Sequence, residues 1–182
     1  VASILADEGI DPAPERIHKR TWKQFIRSHW ATLYTYDFFA SETLGRFGTV
    51  REMVFFVIKL RTRAMHIAGA RVNPDGVWMI QIVRNLLDLE NGFLRNATHL
   101  IHDCDPLFTR AWVELPKSSG VKLAEIPVSS PNCNPYAERF VLTIRNECLN
   151  HFVVFGERHL RHLFCEYLAH YLGERFHQGP GG

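Results

Sequence analysis

The chain has 182 residues, 46% of them apolar and 22% charged, which is ordinary for a soluble globular protein and enough for one domain with a sizeable core. Its net charge of +2 is too small to argue for nucleic-acid binding by itself. The longest wholly apolar run, Met53 to Ile58, is far too short to span a bilayer, and nothing at the start resembles a signal peptide. Four scattered cysteines, Cys104, Cys133, Cys148 and Cys165, form neither a Cys-x-x-Cys pair nor a zinc-finger spacing, so free thiols in a reducing cytosol are expected.

In chain order, Ile4 and Leu5 read as the tail of a helix stopped by Gly9 and by Asp11 to Pro14. Arg16, His18, Lys19, Arg20, Lys23 and Arg27 then crowd a short basic stretch, which a solvated helix face would explain as well as a binding surface. Trp22, Phe25, Ile26 and Trp30 fall at helical spacing and predict an amphipathic helix that packs across the domain. Three strands are expected at about 31–41, 52–60 and 64–72. The second is nearly continuous in apolar residues, as suits a strand covered on both faces. Asn73 to Gly76 is a turn, and Trp78, Ile82, Leu86, Leu89 and Phe93 predict a helix over 76–94. A short strand at about 99–101 leads to Asp103, followed by a helix from Phe108 to Leu115 and a last strand from Val121 to Ile126. A loop at 129–132 precedes a long helix from Pro135 to about His151, with Phe140, Ile144 and Cys148 on one side. A final helix covers about 156–172. This order predicts an α/β domain, a mixed sheet with helices on its faces.

Three acidic residues stand out against that background. Asp37 lies inside the apolar run Thr35 to Phe39, where strand interiors disfavour Asp. Asp103 ends the run Leu100 to Asp103, in competition with Asp105 two positions on. Glu138 falls where a helix starts, a place a glutamate also occupies simply to complement the helix dipole. A charge beside core strands is costly unless it is paired or binds a cation. Together the three point to a shared site for a divalent metal.

The surrounding motifs resemble the catalytic core of the DDE integrase and transposase family, of the bacterial insertion-sequence type related to retroviral integrases. They run the length of the chain: Trp22-x-x-Phe25-x-x-x-His29-Trp30, Asp37-Phe38-Phe39, Phe55 to Ile58 with Thr62-Arg63, and Trp78-Met79-x-Gln81-x-x-Arg84-Asn85. They continue with Ile101 to Asp105 and Phe108-Thr109, Ser130-Pro131-Asn132-x-Asn134-x-Tyr136 to Val141, Arg145-x-Glu147-Cys148-Leu149, Gly156-Glu157-x-His159-Leu160-Arg161 and Glu174-Arg175-x-His177-Gln178-Gly179. The chain departs from the family at Cys104 and Leu107, where members often carry basic residues.

The resemblance implies an RNase H-like fold with a mixed five-stranded sheet, the first Asp on strand one, the second after strand four and the Glu on a later helix. It implies a core at 30–176, preceded over 1–29 by a linker and helix remnant of a missing DNA-binding domain and followed by a flexible tail at 177–182. It implies that Asp37, Asp103 and Glu138 are both the catalytic residues and the ligands of two Mg²⁺ or Mn²⁺ ions. Hard cations of this kind prefer oxygen donors, and a pair roughly 3.5–4 Å apart clamps a scissile phosphate. Which Asp would share an ion with Glu138 stays open.

The expected reactions are nicking at element ends and joining of the freed 3′-OH to target DNA. Asn132, Asn134, Arg139 and Arg145, which flank Glu138, are candidate phosphate contacts, though the two asparagines would serve equally as helix caps. Element-end and target DNA are the expected partners, with a homodimer or higher assembly in the active complex, no membrane and no nucleotide cofactor. The location would be the bacterial cytoplasm, at the nucleoid. His159, His162 and His170, with His151 and His177 nearby, lack the paired spacing of a zinc motif. The competing readings are a decayed, non-catalytic DNA-binding relic of a mobile element and an RNase H-like nuclease that cuts without joining.

Overall fold

A computed structural model describes residues 22–102, 107–125 and 135–175. The chain divides into two units after Trp30. The first contains helix α1 (Trp22–His29), whose Phe25 and His29 rings meet at 4.7 Å across one turn. The second contains strands β1 (Leu33–Gly45), β2 (Gly48–Lys59), β3 (Met65–Arg71), β4 (His99–His102) and β5 (Lys122–Glu125). Its helices are α2 (Gly76–Leu86), α3 (Arg110–Ser118), α4 (Pro135–Glu147) and α5 (Gly156–Arg175), with a 3-10 turn at Leu149–His151.

The strands form one sheet in the order β3-β2-β1-β4-β5. β1, β2 and β3 make an antiparallel meander, while β4 and β5 run parallel to β1. This is the mixed five-stranded sheet of an RNase H-like fold, as expected. β1 is its axis. It has β2 along its whole length on one side and β4 on the other against Leu33, Tyr34 and Thr35 alone.

Alternation along β1 divides the core in two. Tyr34, Tyr36 and Phe38 point to the face covered by α2 and α3, where Tyr36 packs on Phe55, Phe108 and Trp112 at 5.4, 4.7 and 5.2 Å. Thr35, Asp37 and Phe39 point to the other face, where Phe39 meets Phe164 of α5 at 5.9 Å and Phe56 meets Phe140 of α4 at 4.9 Å. β2 is buried without a break from Val54 to Ile58, because helices lie over both of its faces.

The long helix expected over 76–94 stops at Leu86. The carboxylate of Asp88 accepts the amides of Glu90 and Asn91, giving the backbone a turn to close instead of another helical bond. Gly92 then passes so near the carbonyls of Leu86 and Asp88 that no Cβ would fit, and Leu89 is left 91% exposed. At the start of the same helix, Asp75 accepts the amide of Trp78 at 2.8 Å, so the turn before it doubles as an N-cap. Gly69 of β3 lets α2 approach closely, since a Cβ there would come within 2.7 Å of the Trp78 ring.

α3 starts at Arg110 rather than Phe108, because Thr109 caps it by accepting the amide of Trp112. α4 ends at Glu147 instead of running to His151, where the 3-10 turn takes over. Among the described residues no helix is long and apolar enough to cross a membrane.

Phe56 is 0% exposed and joins β2 to β1 and α4, so Phe56→Ala should cost about 3–5 kcal/mol in urea unfolding. Burial pushes the Cys148 thiol up from its usual range, whereas Cys165 is exposed. In a C104S/C133S background, a thiol reagent should therefore label Cys165 readily and reach Cys148 only as the protein opens.

Candidate active site around strand β1

Asp37 sits on the strand that organises the sheet, half-buried, with Phe56 as its cross-strand partner. Its Oδ1 accepts the amide of Phe38 at 2.7 Å, which fixes one oxygen against the strand's own backbone. β4, its parallel neighbour, ends at His102, so Asp103 is the next residue along the chain and lies outside the described residues. Asn132 and Asn134 lie outside them too. Among the described residues the last β1–β4 pair is Thr35 with Ile101. Counted along the chain, Asp37 and Asp103 are each two residues past that pair.

Glu138 is in the first turn of α4 and exposed. Its carboxylate takes no hydrogen bond or ion pair from the described residues. Ala137, Phe140 and Ile144 are the buried stripe that seats α4 on the sheet. Phe140 packs on Phe56, beside Asp37, and further along the helix the Arg145 guanidinium donates to the carbonyl of Ala40 at 3.2 Å. These two contacts, in that order, mean that α4 runs in the same direction as β1. Glu138 and Arg145 are seven residues apart, close to two full turns, so they share the side of the helix that reaches β1. Arg139 is exposed and lies on the β2 side of the helix, near Ile58.

Arg145 therefore has a structural partner that the sequence did not reveal. Past Thr35, no strand among the described residues pairs with the second side of β1; there Arg145 donates to the carbonyl of Ala40, and the carbonyl of Val154 accepts the amide of Leu44 at 2.6 Å. Between those two bonds lies an open cleft of about 630 Å³, into which Glu42, Arg51, Arg145 and Asn150 contribute side chains. Arg51 and Asn150 were not singled out by sequence reasoning. The only signal was their place on a strand and at a helix end, which most surface residues share.

A second missed residue is Glu52, an acid only 4% exposed on the same face of the sheet as Asp37. Thr43 donates its hydroxyl to Oε1 at 2.9 Å, and Oε2 has no partner among the described residues. It tends the core, not the site. Among the described residues no three His, Cys, Asp or Glu side chains are grouped to hold a metal; Asp37 and Glu138 are the two members of the expected triad that those residues include. His159 is engaged locally, its Nδ1 accepting the amide of Phe155 at 3.1 Å.

Thr43→Val should cost about 1–3 kcal/mol, because it leaves the buried Glu52 carboxylate without its donor. The double variant Thr43→Val with Glu52→Leu should lose less than the sum of the single losses, a non-additivity that a double-mutant cycle in urea would measure.

Residues 119–182 match the family model described as "Integrase core domain". No curated protein matches the chain. Among solved structures, the catalytic core of HTLV-2 integrase, in complex with magnesium and in a dimeric form, superposes with a TM-score of 0.49 at 14% identity, over 64% of this chain and 68% of its own. The catalytic core domain of BIV integrase gives 0.43 at 16% identity, over 65% and 74%. A chain from the simian T-cell lymphotropic virus intasome in complex with PP2A regulatory subunit B56 gamma gives 0.48 at 10% identity, over 64% of this chain. This chain spans 39% of the length of that intasome chain. Over residues 119–182, which contribute β5, α4 and α5 to the sheet and its cover, the chain is similar to integrase core domains, the resemblance that its motifs announce.

Proposed function

We propose that this chain is the catalytic domain of a DDE-type transposase or integrase, a metal-dependent polynucleotidyl transferase that nicks element ends and joins the freed 3′-OH to target DNA. The single observation that carries the reading is the disposition of the acids about β1. Asp37 is on the strand. Asp103 follows the parallel neighbour, at the same count past their last shared pair. Glu138 is on the side of α4 that reaches β1, near the level where Phe140 meets the partner of Asp37.

The donor set suits Mg²⁺ or Mn²⁺, because all three groups are carboxylates and Glu138 has no competing partner among the described residues. When bound, two such ions supply activation of the attacking water or 3′-hydroxyl and stabilisation of the departing 3′ oxygen. The protein's own task is positioning. β1 holds the first acid, the chain reaches the second one residue after β4, and α4, pinned by Phe140 and Arg145, holds the third on a rigid element. Arg139, whose guanidinium is exposed, is our candidate for contacts to backbone phosphates, which orient DNA without reading its sequence. Joining two element ends requires at least two copies in the active complex.

The test is strand transfer with a pre-nicked element end and Mn²⁺. Asp37→Asn, Asp103→Asn and Glu138→Gln should each lower joining at least about a hundredfold, the scale of losing one group that stabilises charge in the transition state, without loss of DNA binding. Binding without joining by the unaltered protein would instead identify a relic, and cutting without joining a nuclease.

A further inference from the structure

The turn between β2 and β3 holds a residue in a conformation that does not suit it. Arg63 has φ 56, the left-handed region in which a side chain other than glycine costs free energy. For the backbone alone, glycine would be the better residue. The residue there is nevertheless an arginine, and its surroundings indicate what the side chain does.

Arg63 lines a pocket of about 100 Å³ whose opposite wall is α4. From that helix come Tyr136, Arg139 and Thr143, at spacings of three and four residues and so on one side of it. Ile58 and Phe140 form part of an apolar floor. Two guanidiniums from separate elements thus border one small concavity, and no acidic side chain among the described residues lines it. Neither Arg63 nor Arg139 has a hydrogen-bond or ion-pair partner among the described residues, and both are exposed. Two forked donors with hydroxyls beside them and an apolar base match a tetrahedral oxyanion better than a planar carboxylate or a cation.

We infer that this pocket is a phosphate site, and that its occupant is a backbone phosphate of bound DNA, gripped by Arg63 and Arg139 on the side of α4 away from Glu138. The choice of DNA over a free phosphate rests on the proposed transferase reading. One helix would then present Glu138 to the scissile region along one side and hold a flanking phosphate along the other.

Arg63→Gly tests this, because strain relief and ligand loss move opposite readouts. Glycine at the turn should leave the thermal midpoint unchanged or higher, so weakened binding cannot be blamed on unfolding. DNA affinity should fall, and the slope of log K against log salt should decrease by about one, with the same change in Arg139→Ala and no further change of slope when the two are combined if one phosphate is shared. Unchanged affinity and slope in Arg63→Gly would overturn the proposal. Weaker binding of inorganic phosphate by Arg63→Gly, with DNA binding unaltered, would overturn the DNA assignment in favour of a free anion. Asp103→Asn separates the two readings: it should abolish joining while keeping the unaltered salt slope. If the unaltered protein binds DNA yet never joins it, the transferase reading fails while the Arg63 result still stands or falls by itself.

Discussion

The seating of α4 on the central strands is the constraint on which the rest of the molecule turns. Phe140 packs on Phe56, and Phe56 is the cross-strand partner of Asp37, so one aromatic contact ties the helix that bears Glu138 to the strand pair that bears the first acid. Arg145 adds a second tie at Ala40 and thereby sets the direction of the helix as well as its height. A charged hydrogen bond at the surface is worth little alone. Its effect here is geometric: with the aromatic contact it leaves α4 one orientation relative to β1.

That seating also divides the labour of the helix. Ala137, Phe140 and Ile144 supply burial, Glu138 and Arg145 share the β1 side, and Tyr136, Arg139 and Thr143 share the β2 side. Each set follows from helical periodicity once one contact with the sheet is known. β1 is divided in a similar way. Its first residues are paired on both sides, and beyond Thr35 its second edge is met, among the described residues, by a side chain and a loop carbonyl.

Sequence and structure agree most closely where one local signal dominates. The unbroken apolar run of β2 predicted a strand covered on both faces, and Val54 to Ile58 are buried throughout. The turn from Asn73 to Gly76 before an apolar stripe placed a helix start at 76, and α2 begins there, with Asp75 of that turn as its cap. The misjudged end of that helix is equally instructive. Leu89 and Phe93 continue the stripe by spacing, yet the Asp88 carboxylate and Gly92 turn the chain, and Leu89 is exposed. Periodicity does not register a side chain that competes for backbone amides.

The sequence by itself determined the class of fold and the order of its elements, and it singled out the three acids as candidates, because each of these depends on residue type and local spacing. The motifs around the acids were legible for the same reason. Tertiary structure alone decided which side of α4 faces β1, that Arg145 is tied to Ala40, that Glu52 is a buried acid held by Thr43, and that Arg63 meets Arg139 across a pocket. Those facts join residues far apart in the chain, and no local pattern encodes a contact whose two halves are set by the packing of separate elements.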